Sequence, residues 1–254
     1  MPSKETLAQL IALSHTLGDP GNDYAMLGEG NSSAQASSET FWVKASGAEM
    51  RTIQASGFVE VGFDQVLSLL EAGELSDDEV KAGLEAARVD PEARGRPSVE
   101  TVLHALALRL EGVNFVGHTH PTAVNAILCS KRAEEAIAGR LFPDEIVYCG
   151  PAPAYVPYTD PGLPLARAVR DAIGAYLDEY REVPKILLMQ NHGLIAFGKT
   201  ASEVENITAM YVKTARVIIG AYALGGLHFM SPEAVARIHT RPDELYRRQE
   251  WGSG

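Results

Sequence analysis

Two histidines one residue apart, His118 and His120 in Val116-Gly117-His118-Thr119-His120-Pro121, end an apolar run. A third, His192 in Gln190-Asn191-His192-Gly193, stands where a second apolar run meets a glycine. Side chains of an extended strand repeat every two residues, so His118 and His120 share a face and can reach one ion. Three neutral imidazoles with one position left open make the ligand set of a catalytic zinc rather than of a structural one. Taken alone, His-x-His fits equally well two rings that satisfy local hydrogen bonds at a strand end. Two hydrolytic metal patterns are excluded. His-x-His-x-Asp-His would need Asp and His where Thr122 and Ala123 stand, and no His-Glu-x-x-His occurs.

Glu100, in Pro97-Ser98-Val99-Glu100, opens a segment of helical spacing. A carboxylate there either caps the helix or serves as a general acid/base beside a metal. His104 lies four residues on, on the same helical face, and is expected to bond locally rather than to ligate. Gly28-Glu29-Gly30-Asn31-Ser32-Ser33 offers glycines for close backbone approach and polar side chains for hydrogen bonds. It is either a plain turn or an anion-binding loop. It lacks the Gly-Lys-Ser/Thr ending of a nucleotide loop and does not complete the dinucleotide fingerprint. Ser46-Gly47 after a strand and Ser98 at a helix mouth have the same character.

The elements that must position these residues follow from spacing and breakers. Helices are expected over Glu5–Leu17, Ser76–Val89, Ser98–Leu110, Thr122–Leu128, Leu163–Leu177 and Ser202–Leu224, with an acidic first turn at Ser76-Asp77-Asp78-Glu79. Strands are expected at Phe41–Lys44, Phe58–Val61, Asn114–Thr119, Glu145–Tyr148, Lys185–Met189 and Leu194–Phe197. Residues 90–97 form a breaker-rich loop, and the polar tail, residues 237–254 with Arg237, Arg241, Arg247 and Arg248, is expected to pack on a neighbouring subunit. Alternating elements without a repeat argue for one mixed α/β domain over residues 1–254, a central sheet covered by helices.

A chain of 254 residues that is 46% hydrophobic can bury a sizeable core. Its net charge of −11 argues against nucleic-acid and anionic-membrane partners, so an anionic substrate would need a locally positive site. Cys129 and Cys149 suggest neither a disulfide framework nor a thiolate zinc site. With no signal-peptide profile and no apolar segment of membrane-spanning length, the expectation is a cytoplasmic protein.

In this order, Gly-x-Gly-Asn-x-Ser, Ser-Gly, Pro-Ser-x-Glu, His-x-His-Pro and Asn-His-Gly-Leu resemble the class II aldolase/adducin family, over about Leu7 to Leu224. The family includes fuculose- and rhamnulose-1-phosphate aldolases, a ribulose-5-phosphate 4-epimerase and a methylthioribulose-1-phosphate dehydratase. Arg96 to Pro121, Val156-Pro157-Tyr158 and Pro161-Gly162 look most like the aldolase portion of two-part rhamnulose-1-phosphate aldolase/lactaldehyde dehydrogenases. The resemblance implies a mostly antiparallel sheet and a zinc ion, or another divalent metal, on His118, His120 and His192. It also implies Glu100 as the proton-transfer group, with Gly30, Asn31, Ser46, Gly47 and Ser98 around a sugar phosphate. Val99 stands where fuculose-phosphate aldolases carry a second serine. Tyr148 is the match, by order along the chain, for a tyrosine that protonates the leaving aldehyde from an adjacent subunit. The implied activity is cleavage of a ketose 1-phosphate to dihydroxyacetone phosphate and an aldehyde through a metal-stabilised enediolate, in a homotetramer with sites at subunit interfaces. The alternatives are a 4-epimerase, a dehydratase, an aldolase for pyruvate-type or unphosphorylated substrates, or a non-catalytic scaffold like the adducin head.

Overall fold

Among the described residues there are seven strands, most of them apolar runs bounded by glycine, proline or polar turns: β1 (Asn31–Gln35), β2 (Thr40–Lys44), β3 (Phe58–Gly62), β4 (Phe115–Thr119), β5 (Ala154–Val156), β6 (Ile186–Met189) and β7 (Gly193–Gly198). The structure, a computed structural model, describes residues 2–243. The strands form one sheet in the order β3-β2-β1-β4-β7-β6-β5. All neighbours are antiparallel except β5 and β6, so the sheet is mostly antiparallel as expected. Both faces of β4, β6 and β7 are buried, which is why their sequences are continuous apolar runs rather than alternating ones.

Among the described residues there are ten α-helices, on both faces of the sheet: α1 (Pro2–Leu17), α2 (Phe63–Glu71), α3 (Asp77–Ala86), α4 (Thr101–Leu108), α5 (Thr122–Leu128), α6 (Ala133–Ile137), α7 (Pro143–Cys149), α8 (Leu163–Tyr180), α9 (Ala201–Ala223) and α10 (Pro232–Thr240), the last packed on α7. Alternate residues of β7 divide between two cores. Ile195 and Phe197 pack with Phe63, Leu84, Leu103 and Val169, beneath α2, α3, α4 and α8. Leu194 and Ala196 pack with Leu13, Ile127, Ile207 and Tyr211, beneath α1, α5 and α9. The acidic start of α3 is a complete capping box, in which Ser76 and Glu79 satisfy each other's backbone N–H groups.

Three local expectations are corrected. Glu145–Tyr148 is not a strand; it lies in α7, where Pro143 at the first turn and the acidic Asp144 and Glu145 favour a helix start over the β preference of Ile146 and Val147. The supposed loop from Asn31 is the central strand β1. Its Asn-Ser-Ser-Ala-Gln has little β propensity, but ladders from β2 and β4 on both edges hold it extended. The helix expected from Ser98 starts at Thr101, because Ser98 forms a turn that accepts the Thr101 N–H. β5 and α6 had no clear periodicity in the sequence. Helix α10 occupies the beginning of the expected tail, and Arg247 and Arg248 lie outside the described residues.

Candidate metal centre

Register brings the chemistry together. In the antiparallel pairing of β1 with β4, Asn31 faces His118 and Ser33 faces Val116, so these side chains share a face. Val116 belongs to the core beneath α4, and that helix supplies Glu100 at its N-cap and His104 in its second turn. His120 stands just past the end of β4, and His192 lies in the turn from β6 to β7. The turn comes close because residue 193 is glycine. A Cβ there would sit 2.4 Å from the Thr119 carbonyl oxygen and 2.7 Å from His120 Cδ2. Gly30 serves the same end just before β1, with φ of +66° and an added Cβ 2.7 Å from the His118 carbonyl oxygen.

The three rings converge, with centroids 4.7, 4.9 and 5.1 Å apart and one nitrogen from each ring within 4.8 Å of the others. His118 is fully buried and donates from Nδ1 to the Leu194 carbonyl at 2.9 Å, which leaves Nε2 of the neutral ring as a lone pair. His120 donates from Nδ1 to Glu29 Oε2 at 3.2 Å, which likewise frees its Nε2. These two Nε2 atoms face each other at 3.0 Å. Nitrogens about 2.0–2.1 Å from one tetrahedral ion would lie roughly 3.3 Å apart. Glu100 Oε1 closes the cluster at 3.2 Å from His192 Nε2 and 3.6 Å from His118 Nε2. Acceptor atoms meeting at one point repel unless a proton or a metal cation lies among them, and this donor set fits a divalent metal.

The protonation pattern has the same cause. Burial works against the His118 proton, but Glu100, by charge and hydrogen bond, and the Leu194 carbonyl hold its pKa above the ordinary imidazole value. Burial, then the neighbouring His118 and His192, push His120 down to about 3. Burial would raise Glu100, but His118 and His192 hold it well below the ordinary carboxylate range.

Glu100 is not a capping residue in this fold. It occupies the N-cap of α4, yet its side chain makes no cap bond, and Oε2 instead accepts from Asn31 Nδ2 at 2.6 Å. Asn31, expected at a phosphate, has its amide between Glu100 and His104, whose Nε2 meets Asn31 Oδ1. His104 stands outside the ring trio, but its partners, Asn31 and Ser33, lie on β1 rather than nearby in sequence as expected. Ser46 and Gly47 are exposed on the loop after β2, with Gly47 at φ +78°, and Ser98 Oγ is buried with no hydrogen-bond partner among the described residues. Tyr148 is half-buried on α7, which packs on α9 and α10.

Two participants escaped the sequence reading. Glu29 orients His120, and an acidic residue between the two loop glycines was the available signal. Lys44 is buried, with Nζ donating to the carbonyls of Gly28 at 3.2 Å and Ala48 at 2.6 Å, so one ammonium ties the two glycine loops together. Burial lowers its pKa, opposed by Glu100. A lysine at a strand end reads as a solvated charge, which hid it.

Known proteins can be set beside this geometry. The chain is 28% identical over 181 residues to the Bacillus subtilis uncharacterized oxidoreductase YuxG, covering 71% of this chain and 24% of that protein. The chain thus spans about a quarter of the length of that relative. It is 26% identical over 222 residues to a methylthioribulose-1-phosphate dehydratase of Leptospira borgpetersenii, 83% of this chain and 79% of the relative. A solved L-fuculose 1-phosphate aldolase superposes with a TM-score of 0.71 at 17% identity, covering 97% of this chain and 98% of the other, a likeness of fold. The sequence model of the Class II Aldolase and Adducin N-terminal domain matches residues 8–219, a stretch that contains every strand and all the converging side chains, and the chain belongs to that family.

Proposed function

We propose that this protein is a divalent-metal-dependent aldolase, zinc being the metal expected, that cleaves a ketose 1-phosphate, such as that of a 6-deoxy sugar, into dihydroxyacetone phosphate and an aldehyde. The observation that carries the reading is Glu100: a carboxylate anchored through one oxygen by Asn31, with the other oxygen at the mouth of three convergent imidazoles. A divalent cation held by His118, His120 and His192 would supply Lewis-acid stabilisation of the negative charge that cleavage leaves on the substrate's oxygens.

The remaining work falls to side chains and backbone. Glu100 Oε1 returns a proton to the carbon that becomes the hydroxymethyl group of the product, and removes it in the reverse direction. The glycine loops around Gly30 and Gly47, with Ser46, place backbone N–H groups around the phosphate, and the partnerless Ser98 Oγ provides a further donor. Lys44 sets a positive charge beneath those loops, which counters the acidic surface locally. Tyr148, from a neighbouring subunit of a homotetramer, is the candidate proton donor to the leaving aldehyde, and sedimentation analysis tests that assembly. Among the described residues no helix is long and apolar enough to cross a membrane, and with two free cysteines a reducing cytoplasm suits the chain.

Similarity to a dehydratase of a ketose 1-phosphate favours one second reading, elimination of water from such a substrate after the same proton removal. One experiment separates them. The zinc-loaded protein is incubated with rhamnulose 1-phosphate, fuculose 1-phosphate and a panel of related ketose phosphates, and the products are identified. Dihydroxyacetone phosphate with an aldehyde is the expected outcome. A product lighter by one water supports the dehydratase, and an absence of dihydroxyacetone phosphate from every substrate overturns the aldolase.

A further inference from the structure

We propose that Ser33 and His104 are positioning residues that act on Glu100 through Asn31, forming a buried row of hydrogen bonds with a single direction. The proposal deepens the reading of Glu100 as the proton-transfer group and rests on it.

The direction follows from donor and acceptor chemistry, one link at a time. The Glu100 carboxylate can only accept, so the Asn31 atom 2.6 Å from Oε2 must be the amide nitrogen, and the amide oxygen is turned the other way. That oxygen meets His104 Nε2 and can only accept, so Nε2 carries the hydrogen. A neutral imidazole has one N–H, which leaves Nδ1 as an acceptor. Ser33 Oγ, 2.6 Å from Nδ1, therefore donates. Burial, reinforced by His118, pushes His104 down to about 3, so it stays neutral at physiological pH. Ser33 and His104 are fully buried and Asn31 nearly so, and bulk water cannot replace any link.

A serine, an imidazole and an amide could satisfy one another in either sense. The anionic carboxylate at the end selects this one. In return, the row keeps an N–H aimed permanently at Oε2. The two carboxylate oxygens thereby acquire different duties: Oε2 is anchored, and Oε1, beside the imidazoles, is the oxygen free to exchange a proton with substrate carbon. In the removal direction the C–H bond breaks, the proton passes to Oε1 and the electron pair stays on the substrate.

Two readouts test the row. Nitrogen-15 NMR of the zinc-loaded protein should show His104 neutral and protonated on Nε2; a ring protonated on Nδ1, or on both nitrogens, at neutral pH overturns the proposal. Kinetics use whichever ketose 1-phosphate the wild type turns over. Ser33→Ala should lower kcat about 5-fold with KM and bound metal unchanged, and Ser33→Thr should restore it. Asn31→Asp, which sets acceptor against acceptor, should lower kcat by about 10²-fold. A wild-type kcat in Ser33→Ala, or a loss in Asn31→Asp confined to KM, overturns the positioning role. If the wild type cleaves none of the ketose phosphates, the aldolase reading fails, and the tautomer of His104 still decides whether the row exists as described.

Discussion

Glu100 is held between opposed influences: burial resists its charge, while two imidazoles and the Asn31 amide retain it. A fully ionised carboxylate beside a cation is a weak base, so its anchoring matters as much as its charge. Glu100→Gln keeps the size and the Asn31 contact but cannot take up a proton. Turnover should fall by about 10²-fold or more, with zinc content after dialysis unchanged. Variants of the ring trio should behave in the opposite way. His118→Ala and His192→Ala should each lose stoichiometric metal in elemental analysis while circular dichroism still reports a folded chain. Retention of metal by either variant removes that residue from the ligand set. The trio was legible in the sequence because His-x-His needs only the two-residue period of a strand. Glu29 and Lys44 were not, since their roles depend on which loops lie beside them.

Among the elements, the turn between β6 and β7 decides whether there is a site at all. Gly193 lets this turn lie against Thr119 and His120, and a methyl group there would collide with a carbonyl oxygen that the β4–β7 ladder cannot move. Gly193→Ala should lower stability by about 1–3 kcal/mol in urea titration and weaken metal retention, although no ligand is altered. An unchanged denaturation midpoint would show that the turn relaxes without cost. α7 teaches the complementary lesson. Its Ile-Val-Tyr segment has the composition of a strand, yet a proline at the start, an acidic first turn and the buried Arg140–Glu145 pair at 2.9 Å make it a helix.

For the molecule as a whole, the buried imidazoles set the response to acid. His104 and His120 have pKa values near 3 in the fold, against about 6.5 when unfolded. Between those values the unfolded chain binds protons that the folded chain refuses, so stability falls as pH drops, by up to about 1.4 kcal/mol per pH unit for each group. His118 acts above that window: its raised pKa contributes stability that is fully present below about 6.5 and is lost as pH rises through the folded value. Glu100, with its lowered pKa, adds a further loss below about 4.3. Of these four groups, His104 and His120 alone set the slope between about pH 6.5 and 4.5. The metal-free protein should therefore lose denaturation midpoint between pH 6.5 and 4.5, and a flat profile over that window would contradict the burial of His104 and His120.

Periodicity, breakers and short motifs are local properties of a chain, so the mixed α/β class, most of the helices and strands, and the three histidines and Glu100 as candidates were legible from the residues alone. That Asn-Ser-Ser-Ala-Gln is a central strand, that Asn31 bonds Glu100 and His104, and that a buried lysine ties two loops together emerge only in three dimensions. Those outcomes depend on which segments pair across the sheet, and backbone ladders and burial override local propensity where a strand is paired on both edges.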